Sequence, residues 1–382
     1  MIGWLTAGAV SVAAWLWLLL CRSWFWRTDQ RLPALVEPSH WPSVAIVVPA
    51  RDEAATLPAT LPTLLAQQYP GRARVIVVDD GSTDGTGELA RRLAGTTGGL
   101  PLTVVSPGPP PPGWAGKPWA VAHGVAEAGE DGYLLLTDAD IAHGPRSLAT
   151  LVAAATGGHD LVSQMATLRT ETRWERIIVP AFVYFFALLY PFRRVNRPSA
   201  RTAAAAGGCV LVRREVLARA GGFEAIRGAV IDDVALARLV KRAGGRIWLG
   251  LADTVRSVRA YPGLADLWAM VARSAYTQLR HSPVLLAGTV LGLAVVFLAP
   301  PAVTVAGAVT GDAVLLGLGA VAWLLMAGTF APTLRHYGRP VPAALLLPAT
   351  ALLYVLMTLD SARRHHAGSG ASWKGRSYSG SR

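Results

Sequence analysis

Val75-Ile76-Val77-Val78-Asp79-Asp80-Gly81-Ser82-Thr83-Asp84-Gly85 runs four β-branched residues into three carboxylates and two glycines, and Tyr133-Leu134-Leu135-Leu136-Thr137-Asp138-Ala139-Asp140 repeats the arrangement further along. Each reads as a buried strand that delivers carboxylates to a sheet edge. Two Asp one residue apart, Asp138 and Asp140, offer the hard oxygens that hold a divalent metal and a diphosphate. The chain therefore reads as an enzyme that handles an activated phosphate ester.

Outward from these runs, residues 42–260 alternate short β-branched segments with helical ones, the signature of an α/β sheet. A first strand is expected at 44–48, ending in Pro49-Ala50-Arg51-Asp52-Glu53, with a helix through Leu64. The glycines and side-chain oxygens of 79–85 can turn the chain and cap a helix from Thr86. A third strand at 102–105 meets Pro107-Gly108-Pro109-Pro110-Pro111-Pro112-Gly113, a stiff extended loop, after which Lys117 lies near the start of the next helix. Gly207-Gly208 turns into a strand at 209–213, and Asp232-Asp233 opens a helix over 235–242, where the dipole favours carboxylates. Capping competes with chemistry for Asp232; Asp233 is the candidate with chemistry to do.

Of the 382 residues 52% are hydrophobic, and the apolar excess lies at the two ends. Residues 4–20 carry no charge and are followed by Arg22, Arg27 and Arg31, so 1–31 reads as an uncleaved anchor with a basic flank and its N-terminus outside. A signal peptide would place the basic residues first. After a linker at 261–283, the runs 284–309, 313–330 and 341–359 supply two to three further crossings, with Pro300 and Pro301 kinking the first, and 360–382 reads as a basic flexible tail. Alternation puts that tail outside, whereas Arg363, Arg364, Lys374, Arg376 and Arg382 argue for inside, so parity stays open. The segment 177–189 is too short for a comfortable crossing and reads as an interfacial or re-entrant helix, with a core helix as the alternative.

The formal charge of +12 is carried largely by membrane-flanking residues such as Arg193, Arg194 and Arg197, which points to an anionic phospholipid surface rather than nucleic acid. Cys21 and Cys209 form neither a disulfide framework nor a thiolate site, and His123, His143 and His159 have no zinc spacing.

Pro49 with Glu53, the Asp79–Gly85 run, Gly116-Lys117 with Ala120, Asp138-Ala139-Asp140, Gly207-Gly208 and Asp232-Asp233 occur in an order that resembles the family 2 glycosyltransferases, inverting enzymes of the GT-A fold that use nucleotide sugars. The resemblance implies a GT-A nucleotide-diphospho-sugar transferase domain with an N-terminal membrane anchor and a C-terminal transmembrane block. The stretch from Trp268 to Ser282 is similar to the subgroup associated with hopanoid biosynthesis in bacteria, and more distantly to ceramide glucosyltransferase.

Carried onto this chain, the resemblance implies that Glu53, Asp79 and Asp80 seat the nucleotide, Asp80 towards the base and Asp79 with a turn-capping alternative. Lys117 and Asp138 would meet the donor, Asp138 and Asp140 would hold Mn2+ or Mg2+ against its diphosphate, and Asp233 would be the general base. Many members carry Glu-Asp where this chain has Asp232-Asp233, and the Gln/Arg-x-x-Arg-Trp run of processive relatives is missing, Gln278-Leu279-Arg280 being at best an echo. The expected partners are a nucleotide sugar, which the resemblance weights towards a UDP-sugar, a membrane lipid acceptor such as a hopanoid, and other lipid-biosynthesis enzymes, at a bacterial cytoplasmic membrane with the catalytic domain facing inward. A polyprenyl-phosphate acceptor and a catalytically silent scaffold are the alternatives.

Overall fold

The computed structural model describes residues 1–367 and the strands Ser372–Trp373 and Arg376–Ser377; Lys374 and Arg382 of the expected tail lie outside the described residues. Two compact units emerge among the described residues, one from 29–169 and 194–260 with the strands at 372–373 and 376–377, the other from 1–28, 170–193 and 261–367.

The first unit is a mixed α/β fold. Its strands are β1 (Val44–Ala50), β2 (Ala73–Asp79), β3 (Leu102–Val105), β4 (Tyr133–Thr137), β5 (Ile141–His143), β6 (Leu161–Thr167), β7 (Cys209–Arg213) and β8 (Ile247–Ser257). They form one sheet in the order β3-β2-β1-β4-β7-β6-β8-β5. β3, β2, β1 and β4 run parallel, and β7 lies antiparallel between β4 and β6. Every residue of β1 and β4 is buried, as a sheet covered on both faces requires. That is why these runs read as continuous apolar stretches rather than alternating ones.

The chain leaves β1 towards β2 on one side and returns through the helix Gly116–Glu127 to β4 on the other. Loops that diverge from adjacent parallel strands open a crevice at their carboxyl ends. The helix is drawn close to the sheet at Gly124, where a Cβ would come within 2.5 Å of Val47 Cγ1. This fixes the height at which Lys117, the second residue of the helix, meets the sheet edge. Arg31, expected as a membrane flank, instead bridges to Leu251 and pairs with Asp253, and Gln30 accepts from the Leu251 N–H at 2.8 Å.

Among the described residues five helices are long and apolar enough to cross a membrane: Ile2–Cys21, Arg173–Val195, Pro283–Thr310, Ala313–His336 and Val341–His366. The segment expected at 177–189 starts earlier, at Arg173, because Thr172 and Glu175 form a capping box that satisfies the first N–H groups. Its connectivity constrains it. β6 precedes it and β7 follows it, and the two pair in one sheet, so the chain must come back to the side it left. A single crossing there is topologically excluded, and this segment cannot change the parity of the rest.

The last helix runs on to His366 rather than stopping at 359, since Asp360 accepts from Trp268 Nε1 at 2.8 Å and from Arg363 and Arg364. Residues 360–366 are therefore helix, not tail. Before Pro300 and Pro301 the helix widens into a π turn, Ala294–Leu298. Neither proline can donate to the carbonyl of Val296, the acceptor four and five residues back, and Trp15 Nε1 donates to it instead at 2.7 Å. Trp15 is fully buried and packs edge-on against Phe297.

Candidate active site

The loops after β1 and β2 are stitched together by the polar residues of the 79–85 run. The Asp52 N–H donates to Ser82 Oγ, Glu53 N–H to Thr86 Oγ1 and Ala54 N–H to Asp84 Oδ2, all at 2.9–3.0 Å. Asp79 Oδ1 accepts the Ser82 N–H at 3.0 Å, which closes the turn. Gly87 is required behind it, since a Cβ there would fall 2.5 Å from Asp79 Oδ2. Asp80 has no exposed surface; its N–H donates to the Ala50 carbonyl, and Arg51 lies 3.9 Å from its carboxylate. Of the three residues expected to seat the nucleotide, Asp79 shapes the turn, Asp80 is fully buried beside it, and Glu53 belongs to the loop after β1.

The cleft beside β4 is lined by Pro49, Lys117, Thr137, Asp138, Gly207, Phe223, Asp232 and Asp233. Lys117 Nζ meets Asp138 Oδ1 at 2.7 Å and Asp232 Oδ2 at 3.6 Å. Burial opposes the lysine's charge, but Asp138, Asp232 and Asp233 outweigh it and hold the ammonium above its ordinary range. Asp233 is held by two backbone donors: Gly207 N–H to Oδ2 at 2.8 Å and Val234 N–H to Oδ1 at 2.7 Å. Burial, reinforced by Asp232 and opposed by Lys117 and the two N–H groups, pushes its carboxyl up to about 6. Gly207 stands so close that a Cβ would lie 3.2 Å from Asp233 Oδ2 and 3.4 Å from Lys117 Nζ.

Asp140 and Glu53 form a second cluster around a residue the sequence reading did not single out. Arg259, two residues past β8, donates through Nε to Asp140 Oδ2 at 2.6 Å and through Nη2 to Glu53 Oε1 at 2.7 Å. Ser257 Oγ donates to the same Asp140 oxygen at 3.3 Å, and Thr56 Oγ1 donates to Glu53 Oε2 at 2.6 Å. Burial raises the Asp140 pKa, partly countered by Arg259. Arg259 could not be found by spacing: it reaches Glu53 across 206 residues of sequence. Its signal in sequence is that it follows the last strand of the domain by two residues.

Among the described residues no three His, Cys, Asp or Glu side chains gather into a cluster fit for a metal. Asp138 and Asp140 nevertheless suit Mg2+ or Mn2+, which take one or two protein carboxylates and fill the remaining positions with water and phosphate oxygens. Lys117 occupies Oδ1 of Asp138, while Arg259 and Ser257 occupy Oδ2 of Asp140, so among the described residues one oxygen of each carboxylate accepts no hydrogen bond.

The chain is 34% identical over 135 residues to the undecaprenyl-phosphate 4-deoxy-4-formamido-L-arabinose transferase of Aeromonas hydrophila, 35% of this chain and 39% of that protein. It is 32% identical over 216 residues to the succinoglycan biosynthesis protein ExoA of Rhizobium meliloti, 54% of this chain and 60% of that protein. The matched stretches thus span less than two thirds of these relatives' own lengths. The fold matches that of a mannosyltransferase from Pyrobaculum calidifontis, solved in complex with GDP-Man and Mn2+, with a TM-score of 0.55 at 20% identity over 93% of this chain and 99% of the other. The family described as glycosyltransferase like family 2 matches residues 42–277, the sheet with its crevice and both carboxylate clusters, and the chain belongs to that family.

Proposed function

We propose that the chain transfers a sugar, with inversion, from a nucleoside-diphosphate donor to a hydroxyl of a membrane lipid. The observation that carries this reading is Asp233, a half-buried carboxylate lining the cleft with its pKa raised to about 6, beside a lysine at the carboxyl edge of β4. A base with that pKa is ionised at neutral pH and still able to take a proton. The acceptor oxygen attacks the anomeric carbon, its proton passes to Asp233, and the bond to the diphosphate breaks on the opposite face with its electrons leaving on the diphosphate. Lys117 stabilises that leaving charge from the helix start, and Glu53 with the Asp79–Asp80 turn seats the nucleotide. A divalent cation held by Asp138 and Asp140 would neutralise further negative charge on the diphosphate.

The donor base follows from the sequence resemblance, which favours uridine, while the Pyrobaculum structure contains GDP-Man, so both bases belong in a test. The membrane acceptor is supported by the apolar helices at both ends of the chain, and a hopanoid is the acceptor that the resemblance of 268–282 suggests. A polyprenyl-phosphate acceptor is the second reading, favoured by the name of the Aeromonas relative and by the exposed Arg193, Arg194 and Arg197. The two readings differ chemically. A lipid phosphate is already anionic and needs no base, whereas a hydroxyl does.

Membranes containing the wild-type chain or Asp233→Asn, supplied with radiolabelled UDP- and GDP-sugars with Mn2+ or with EDTA, distinguish them by mass analysis of extracted lipids. A neutral glycolipid lost in Asp233→Asn supports the first reading, and a phospholipid-linked sugar that survives the substitution supports the second. No product from any donor returns the chain to a silent scaffold.

A further inference from the structure

We infer that Arg259 is a positioning residue that fixes Asp140 as a one-oxygen ligand and ties that ligand to Glu53. The inference rests on the proposal that Asp138 and Asp140 hold a divalent cation together with the donor diphosphate. Arg259 offers two nitrogens in a rigid planar fork, one to each carboxylate, at 2.6 and 2.7 Å. Ser257 Oγ adds a second donor to Asp140 Oδ2 and itself accepts the Arg259 N–H at 3.3 Å, so the Arg259 backbone holds the hydroxyl that joins its side chain on that oxygen. The Val258 N–H donates to the Asp140 carbonyl at 2.9 Å, which holds the residue's main chain as well. Asp140 thus has its backbone and one carboxylate oxygen pinned, and Oδ1 is what remains to offer.

Glu53 is pinned in parallel by Arg259 and Thr56. The guanidinium therefore bridges the loop after β1 to the loop after β4, the two walls of the crevice. A residue that orients a metal ligand without touching the metal commonly sets affinity by about 10- to 100-fold. The rival role is a stand-in: Arg259 as the cation that fills the position until the metal arrives and then leaves. The two roles predict opposite signs. Removal of a positioning residue weakens cation binding, and removal of a competitor strengthens it.

The test is Mn2+ binding to the purified full-length chain in detergent, followed by the loss of the free-ion electron paramagnetic resonance signal, with Mn2+ alone and with UDP or GDP added. Arg259→Gln is expected to weaken Mn2+ binding in the presence of the effective nucleotide by about 10- to 100-fold. Arg259→Lys, which keeps the charge and loses the fork, is expected to fall between that and wild type, and Glu53→Gln to weaken binding less than Arg259→Gln. The lysine and glutamine variants keep the test open should Arg259→Gln not fold. Tighter binding in Arg259→Gln, or unchanged binding in all three variants beside a wild type that binds, overturns the positioning role alone. A wild type that binds no Mn2+ with either nucleotide removes the metal reading and this inference with it.

Discussion

The acid limb of the rate profile tests the geometry around Asp233 most directly. Its carboxyl is raised to about 6 by burial and by Asp232, while Lys117 pulls it down. A general base works only when ionised, so kcat/KM for a hydroxyl acceptor should be flat above this value and fall with decreasing pH below it. At pH 5 about one tenth of the sites would be ionised, a tenfold loss relative to the plateau. The neighbours supply signs that a generic acid limb would not. Asp232→Asn removes a charge that raises the pKa, so the limb should move to lower pH. Lys117→Gln removes a charge that lowers it, so the limb should move to higher pH. Asp233→Asn should abolish the limb and cost about 100- to 10,000-fold in rate. The assay is initial rate of lipid glycosylation in detergent micelles across pH 4.5–8.5 at saturating Mn2+ (roughly the window that brackets this group). If Asp232→Asn and Lys117→Gln shift the limb in the same direction, or neither shifts it, Asp233 is not the base.

Trp15→Phe should destabilise the chain by about 1–3 kcal/mol, because the Val296 carbonyl then has no donor; Pro300→Ala restores an N–H four residues on, and thermal melts of the double variant should recover part of the loss. Gly207→Ala should cut activity while leaving the melting temperature close to wild type, since the atoms nearest the added Cβ belong to Asp233 and Lys117. Thr172→Ala should cost about 1 kcal/mol through loss of the cap on the helix Arg173–Leu189, read by the same melts.

The strands expected at 44–48, 75–78, 102–105 and 133–136, observed at 44–50, 73–79, 102–105 and 133–137, were legible as apolar runs, and the membrane helices as long uncharged ones, because both signals depend on neighbours in sequence. The acidic motifs at their ends were legible for the same reason, and they fall at the crevice because parallel strands end on one edge. The reach of the helices was less legible. Arg173 starts its helix through a side-chain cap, and the last helix extends to His366 through Asp360, Trp268 and two arginines that local hydropathy does not see.

Sequence by itself determined the α/β alternation, the placement of carboxylates at strand ends and the presence of apolar helices, all properties written in spacings of a few residues. Tertiary structure alone decided which charges meet. Asp232 became a partner of Lys117 through the packing of the helix Gly116–Glu127 on the sheet, and Arg259 reached Glu53 and Asp140 because β8 pairs with β5 and β6. The same long-range pairing, β6 with β7, forces the intervening apolar helix to return to its own side. Such contacts depend on strand order, and strand order is set by the burial of a whole sheet rather than by any local stretch of chain.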